Sequence, residues 1–313
     1  MHKNLTRIST IDMSREEWLM YRQKSIGGSD AASIIGLNPY SSPYTVWADK
    51  LGKIPPREDA EAMRQGRDLE FYVAERFCEA TGKKVRRENN ILINPEYPFA
   101  HANVDRFVVG EDAGLECKTT SILNMKRFKN GTFPDTYYVQ CVHYMMVTGC
   151  KKWYLAVLVL NKEFMVFEIE RDEAEIAALA KSEAEFWKLV ESQQAPIADG
   201  SNSTTDTISA MYPESTEGSV NLLAFESELQ QYTAITAQIK ELEKLKDEMA
   251  NKVKSFLGDA GRGESERYKV SWTSSTRSTF DSKKFASDHQ DIDLSKYYKT
   301  TSVRTFKVTE YKN

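Results

Sequence analysis

Residues 151–160, KKWYLAVLVL, form a nearly continuous apolar run bounded by turn residues. At ten residues the run falls well short of the ~20 needed to span a membrane. It also lacks the alternation of a half-exposed strand, so it suits a strand covered on both faces. A chain with such a strand must build a sheet with layers on each side. The flanking segments supply them. Residues 163–170 alternate Phe164, Val166, Glu168 and Glu170 against Met165, Phe167 and Ile169, as a strand paired through a short hairpin would. Helical patterns cover 137–148 and 171–191, and 60–82 places Leu69, Val73, Phe77 and Ala80 on one helix face. Residues 84–93 and 99–109 read as further strands. The expected class is α/β (α+β), a mixed central sheet flanked by helices.

With 313 residues the chain can bury a full core. Its 41% hydrophobic and 28% charged residues are those of an ordinary soluble protein, and the start MHKNLTRIST lacks the apolar stretch of a signal peptide. A cytoplasmic location with no membrane partner is expected. The four cysteines, Cys78, Cys117, Cys141 and Cys150, show no C-x-x-C spacing and fit reduced, mostly buried thiols rather than a zinc or iron–sulfur site. A net charge of -4 neither announces nor excludes a nucleic-acid partner, because a few local cations can line a channel.

Three regions follow from the pattern: 1–194 as the main domain, 195–220 as a linker rich in Ser, Thr, Gly and Asp, and 221–313 as a C-terminal region. That last region opens with a long helix over 221–257. Phe225, Leu229, Tyr232, Ile235, Ile239, Leu242, Leu245, Met249, Val253 and Phe256 recur in it at steps of three and four, a coiled-coil-like seam. Gly258 and Gly261 end it, and short strands are expected at 267–273 and 302–309. The seam suits packing within the chain, an oligomer contact or a partner.

Near the N-terminus a helix over 15–22 is followed by a turn at Gly27-Gly28 and a helix from Ser29 to about Gly36, with Ser29 and Asp30 in its N-cap region. Such a start is a plain cap or an anion site.

The chemistry concentrates in HANVDRFVVGEDAGLECKTTS. Here 100–109 and 115–119 read as strands joined by a turn at 110–114, placing Asp105 and Glu116 on neighbouring antiparallel strands. Lys118, two residues beyond Glu116, projects to the same face. Two carboxylates and a lysine are a minimal kit for metal-dependent phosphodiester cleavage. Asp105 and Glu116 can bind a hard divalent ion together with the Cys117 backbone carbonyl, while Lys118 orients water or stabilises charge on phosphate. The bland alternative is a surface hairpin with ordinary charges. Glu70, at the edge of an apolar helix face, is either solvated or turned into a cleft beside Asp105.

Five blocks, in order, resemble the YqaJ-type viral recombinase family, which includes the lambda-type phage exonucleases of the PD-(D/E)xK nuclease superfamily. They are WLMYRQKSIGGSDAASIIG, QGRDLEFYVAERFCEATG, HANVDRFVV, LECKTT and YYVQCVHYMMVTG, spread over about half the chain. The resemblance implies a restriction-endonuclease-like core in which Asp105 and Glu116 bind the catalytic ions and Lys118 assists the nucleophilic water. Glu70 completes the metal site, and Gln140 holds a water or phosphate. It implies Mg2+, or Mn2+ in its place, with two ions per site. Arg22 and Ser29 match a pair that binds the 5′-terminal phosphate, with Asn103 where the family has a serine. The implied activity is 5′ to 3′ digestion of double-stranded DNA ends, leaving a 3′ single strand for an annealing protein of RecT/Bet type. The implied assembly is a homo-oligomeric ring, often a trimer, in a bacterial host with phage or prophage origin.

Two other readings use the same residues: an endonuclease of restriction or junction-resolving type, and a non-catalytic DNA-binding scaffold. The CRISPR-associated iron–sulfur nucleases are set aside, because Cys117 and Cys141 lie inside the core rather than flanking it.

Overall fold

The computed structural model describes residues 4–56, 59–300 and 302–311. It divides into two units, Met1–Tyr212 and Pro213–Asn313.

In the first unit the order is β1 (Thr6–Ser9), α1 (Arg15–Gln23), β2 (Ile26–Gly27), α2 (Gly28–Ile34), α3 (Pro43–Lys50), α4 (Glu61–Thr81), β3 (Val85–Arg87), β4 (Asn90–Ile93), β5 (Ala100–Asn103), β6 (Arg106–Val108) and β7 (Ala113–Thr120). A 3-10 segment over Ile122–Gly131 leads to α5 (Asp135–Thr148), β8 (Lys152–Val159), β9 (Glu163–Glu170), α6 (Glu173–Glu191) and α7 (Asn202–Met211). Two sheets result, one of order β1-β4-β5-β2 and one of order β3-β6-β7-β8-β9. In the larger sheet β7 and β8 run parallel while the other pairs are antiparallel. The sheet is therefore mixed, as expected.

The apolar run is β8, held between β7 and β9 and covered on both faces. Trp153, Leu155, Val157 and Val159 pack with Met145 and Met146 of α5. Tyr154 and Ala156 meet Val73, Ala74 and Phe77 of α4 on the other side. Period-two alternation thus splits one strand between two cores. Gly114 on β7 lies beside Trp153, and a Cβ there would come within 2.3 Å of the indole ring, so any larger residue would displace Trp153. Helix α1 starts on a capping box, with Glu17 N–H donating to Ser14 Oγ at 3.2 Å and Ser14 N–H to Glu17 Oε2 at 2.8 Å.

Several expectations are corrected. The single strand expected over 99–109 is broken into β5 and β6, which join different sheets, and Asp105 sits at the break rather than within a strand. The 84–93 strand divides in the same way into β3 and β4. Alternating hydrophobicity reports burial and says nothing about a change of partner sheet. The N-cap of α2 is Gly27, whereas Ser29 and Asp30 lie in its first turn. The 195–220 linker contains α7, whose hydroxyls pack on the start of α3. Thr45 Oγ1 lies 2.7 Å from both Ser203 Oγ and Thr207 Oγ1, and Thr204 Oγ1 donates to Ser42 Oγ at 2.8 Å. Ser and Thr favour loops because their hydroxyls compete for the backbone, so this composition reads as linker. Here the hydroxyls bond another helix instead, and the unit closes at Tyr212.

The second unit comprises a 3-10 turn at Leu223–Phe225, α8 (Glu226–Leu257), the hairpin β10 (Arg262–Glu264) with β11 (Lys269–Ser271), and α9 (Ser282–Asp288). No strand forms over 302–311, which corrects the second tail strand expected there. The seam of α8 stays exposed at Ile235, Ile239, Leu242 and Met249, while Tyr232 meets Phe306 edge-on at 5.7 Å. Among the described residues no helix is long and apolar enough to cross a membrane.

Candidate active site

Strand β7 presents Leu115 and Cys117 toward α4, where they join the Phe77 cluster. Glu116 and Lys118 consequently face the opposite layer, where α5 supplies Gln140. Lys118 Nζ donates to Glu116 Oε1 at 2.5 Å and to Gln140 Oε1 at 2.9 Å. Gln140 Nε2 donates to the same Glu116 oxygen at 2.8 Å and to Tyr144 Oη at 2.8 Å. One carboxylate oxygen thus holds a lysine and an amide. The other, Glu116 Oε2, is buried with no hydrogen-bond partner.

Asp105 comes to the same place from the break between the sheets. Strand β6 pairs with β7 no further than Arg106 opposite Leu115, so the neighbouring Cys117 N–H needs another acceptor. Asp105 Oδ2 accepts it at 2.8 Å. Burial, with the carboxylates of Glu116 and Glu70 nearby, pushes the Asp105 carboxyl well above its ordinary range. Burial likewise raises Glu116, against the opposing pull of Lys118. Lys118 loses solvation too, yet Glu116 and Asp105 hold its ammonium above the usual lysine range. Such a set has an excess of buried negative charge and an unused carboxylate oxygen, and a hard cation answers both needs. The Asp105 carboxyl and the unpartnered Glu116 oxygen are donors of the chemical type that a hard divalent ion takes.

The expected third carboxylate is placed differently. Glu70 Oε1 accepts from Arg106 Nη1 at 2.5 Å, and Arg106 also donates to the Asp105 carbonyl at 2.7 Å. Glu70 stands within electrostatic reach of Asp105 and Glu116. However, among the described residues no three His, Cys, Asp or Glu side chains converge to hold a metal ion. Arg106 carries no sequence signal of this role beyond its position next to Asp105.

Arg22 and Ser29 are brought together, with Arg22 Nη2 donating to Ser29 Oγ at 2.8 Å. Arg22 lies over the Trp18 ring at 5.0 Å. Asn103 ends β5, two residues before Asp105, and β5 runs parallel to β2, which leads directly into α2. The two clusters share a wall: a Cβ on Gly28 would lie 2.7 Å from Tyr144 Cε1 and 3.2 Å from Gln140 Cγ. Tyr144 was missed in the sequence, although its place one helical turn after Gln140 is the signal that finds it. Lys50, which bonds Asp30 at 2.6 Å, had none.

Residues 17–151 match the family described as the YqaJ-like viral recombinase domain. The chain is 41% identical over 305 residues to the uncharacterized protein YqaJ of Bacillus subtilis (strain 168), covering 96% of this chain and 95% of that one. It is 35% identical to protein D345L of African swine fever virus (strain Badajoz 1971 Vero-adapted) over 69 residues, 21% of this chain and 20% of that one. Among solved structures, an alkaline exonuclease (LHK-Exo) from Laribacter hongkongensis is similar with a TM-score of 0.49 and 21% identity, over 57% of this chain and 93% of that one.

Proposed function

Because the chain belongs to the YqaJ-like viral recombinase family, we propose that it is a metal-dependent nuclease that digests double-stranded DNA from 5′-phosphorylated ends. The observation that carries this reading is the Glu116 carboxylate, with one oxygen committed to Lys118 and Gln140 and the other buried without a partner beside Asp105.

Asp105, Glu116 and the Cys117 carbonyl are the residues that would hold Mg2+, or Mn2+ in its place, two ions completing the site. Bound there, the metal supplies positive charge against an anionic phosphodiester and lowers the pKa of water. Lys118, kept charged by Glu116, orients the attacking water and balances charge growing on the phosphoryl oxygens. Gln140 fixes both partners, since its amide bonds the lysine and the glutamate at once. Arg106 and Glu70 brace the Asp105 backbone.

Arg22 and Ser29 receive the terminal phosphate, for which a guanidinium fork and a hydroxyl are suited donors, with Asn103 as a further contact. Digestion from that end runs 5′ to 3′ and leaves a 3′ single strand, the substrate of a RecT/Bet-type annealing protein in recombination. A homo-oligomeric ring, a trimer in the first instance, would keep the enzyme on the duplex.

Linear duplex and covalently closed circular duplex, incubated in parallel with Mg2+, test the reading. Loss of the linear form with the circle intact supports an exonuclease, and nicking or linearising of the circle favours an endonuclease of the same superfamily. No cleavage of either leaves the scaffold reading.

A further inference from the structure

Lys50, at the end of α3, is buried with its side chain 1% exposed. Its ammonium donates to Asp30 Oδ2 at 2.6 Å and to the Arg22 carbonyl at 2.6 Å. Asp30 Oδ2 also takes the Gly27 N–H at 3.0 Å. Only Asp30 Oδ1 is left for Arg22, whose Nη2 stands 3.4 Å away while lying 2.8 Å from Ser29 Oγ. Arg22 is therefore held by Asp30 through one long ion pair rather than a bidentate one. Its side chain keeps 28% of its surface open, and its bonds to Ser29 and Asp30 both come from Nη2.

A carboxylate beside an anion-binding arginine would ordinarily compete with the anion. Lys50 changes this in two ways. It occupies the Asp30 oxygen that would otherwise complete a bidentate pair with Arg22. It also ties the Arg22 backbone to α3, fixing where the side chain starts.

We propose that Lys50 and Asp30 are positioning residues for Arg22, holding its guanidinium aimed and only singly paired so that it selects a terminal phosphate monoester. The inference rests on the reading of Arg22 and Ser29 as the receivers of the 5′-phosphate.

Because either single change would strand a buried charge, the test removes both together, as Lys50→Met with Asp30→Asn in the full chain. The readout is the ratio of kcat/KM on synthetic duplexes with a 5′-phosphate to that on the same duplexes with a 5′-hydroxyl. A fold defect lowers both values and leaves the ratio. The double variant should lose the preference by about tenfold or more, the worth of a charge-assisted hydrogen bond, and Arg22→Ala should lose it similarly. Lys50→Arg, which retains the cation, should keep more of the preference than the double variant. A double variant whose ratio equals the parent's overturns the positioning role. An Arg22→Ala variant whose ratio equals the parent's overturns the phosphate reading itself, and the positioning role with it.

Discussion

Gly28 lies so close to Tyr144 that a Cβ on it would approach the ring to 2.7 Å. This contact joins the two halves of the proposed site. On one side of it Gly28 is followed by Ser29, which bonds Arg22. On the other, Tyr144 bonds Gln140, which bonds Glu116 and Lys118. The position where a terminal phosphate would be held is thus set against the position where a phosphodiester would be cut.

Gly28→Ala should consequently be costly despite its size. Added volume in a packed contact costs about 1–3 kcal/mol, and relief requires α2 or the Tyr144 ring to move. Chemical denaturation should show that loss, and nuclease activity should fall further than the stability change alone explains. Parent-like activity in a destabilised variant would mean that the contact serves only the fold.

Acid should weaken the fold through His101. Burial and the nearby Lys50 cation hold its imidazole down to about 3, well below the usual 6.5. Its Nδ1 lies 2.8 Å from Ser25 Oγ, and its Nε2 is buried without a partner. The unfolded chain takes up this proton near 6.5 and the folded chain near 3, so the contribution to stability present above the unfolded value is lost as pH falls between them. Thermal unfolding from pH 7 to pH 4 should show a falling midpoint, and His101→Gln should flatten the slope. An equal slope in both proteins would place the sensitivity elsewhere.

Much of the layering is legible in the sequence because it follows from periodicity. The apolar run of β8 demanded two covered faces, and alternation put Glu116 and Lys118 on one side of β7. What stayed hidden depends on choices of partner. Nothing in residues 100–109 as a pattern tells that Asn103 belongs to one sheet and Arg106 to another, yet this break frees Asp105 to take the Cys117 N–H. Ser203, Thr204 and Thr207 look like linker until α3 offers them hydroxyls. Glu70 shows an acidic residue beside an apolar face, but only the fold shows that Arg106 holds it. The seam of α8 is plain in sequence, and its steps of three and four alone do not specify what covers it.

Removal of the Lys118 ammonium tests the central assignment most directly. The rate of nucleotide release from a 5′-phosphorylated linear duplex would be measured for the parent and for Lys118→Ala, each with Mg2+ and with the metal chelated. The parent should digest the duplex only with the metal, and Lys118→Ala should be slower by about a hundredfold or more, the scale of losing one charge-stabilising donor. A Lys118→Ala protein that digests as fast as the parent, or a parent indifferent to chelation, would contradict the assignment.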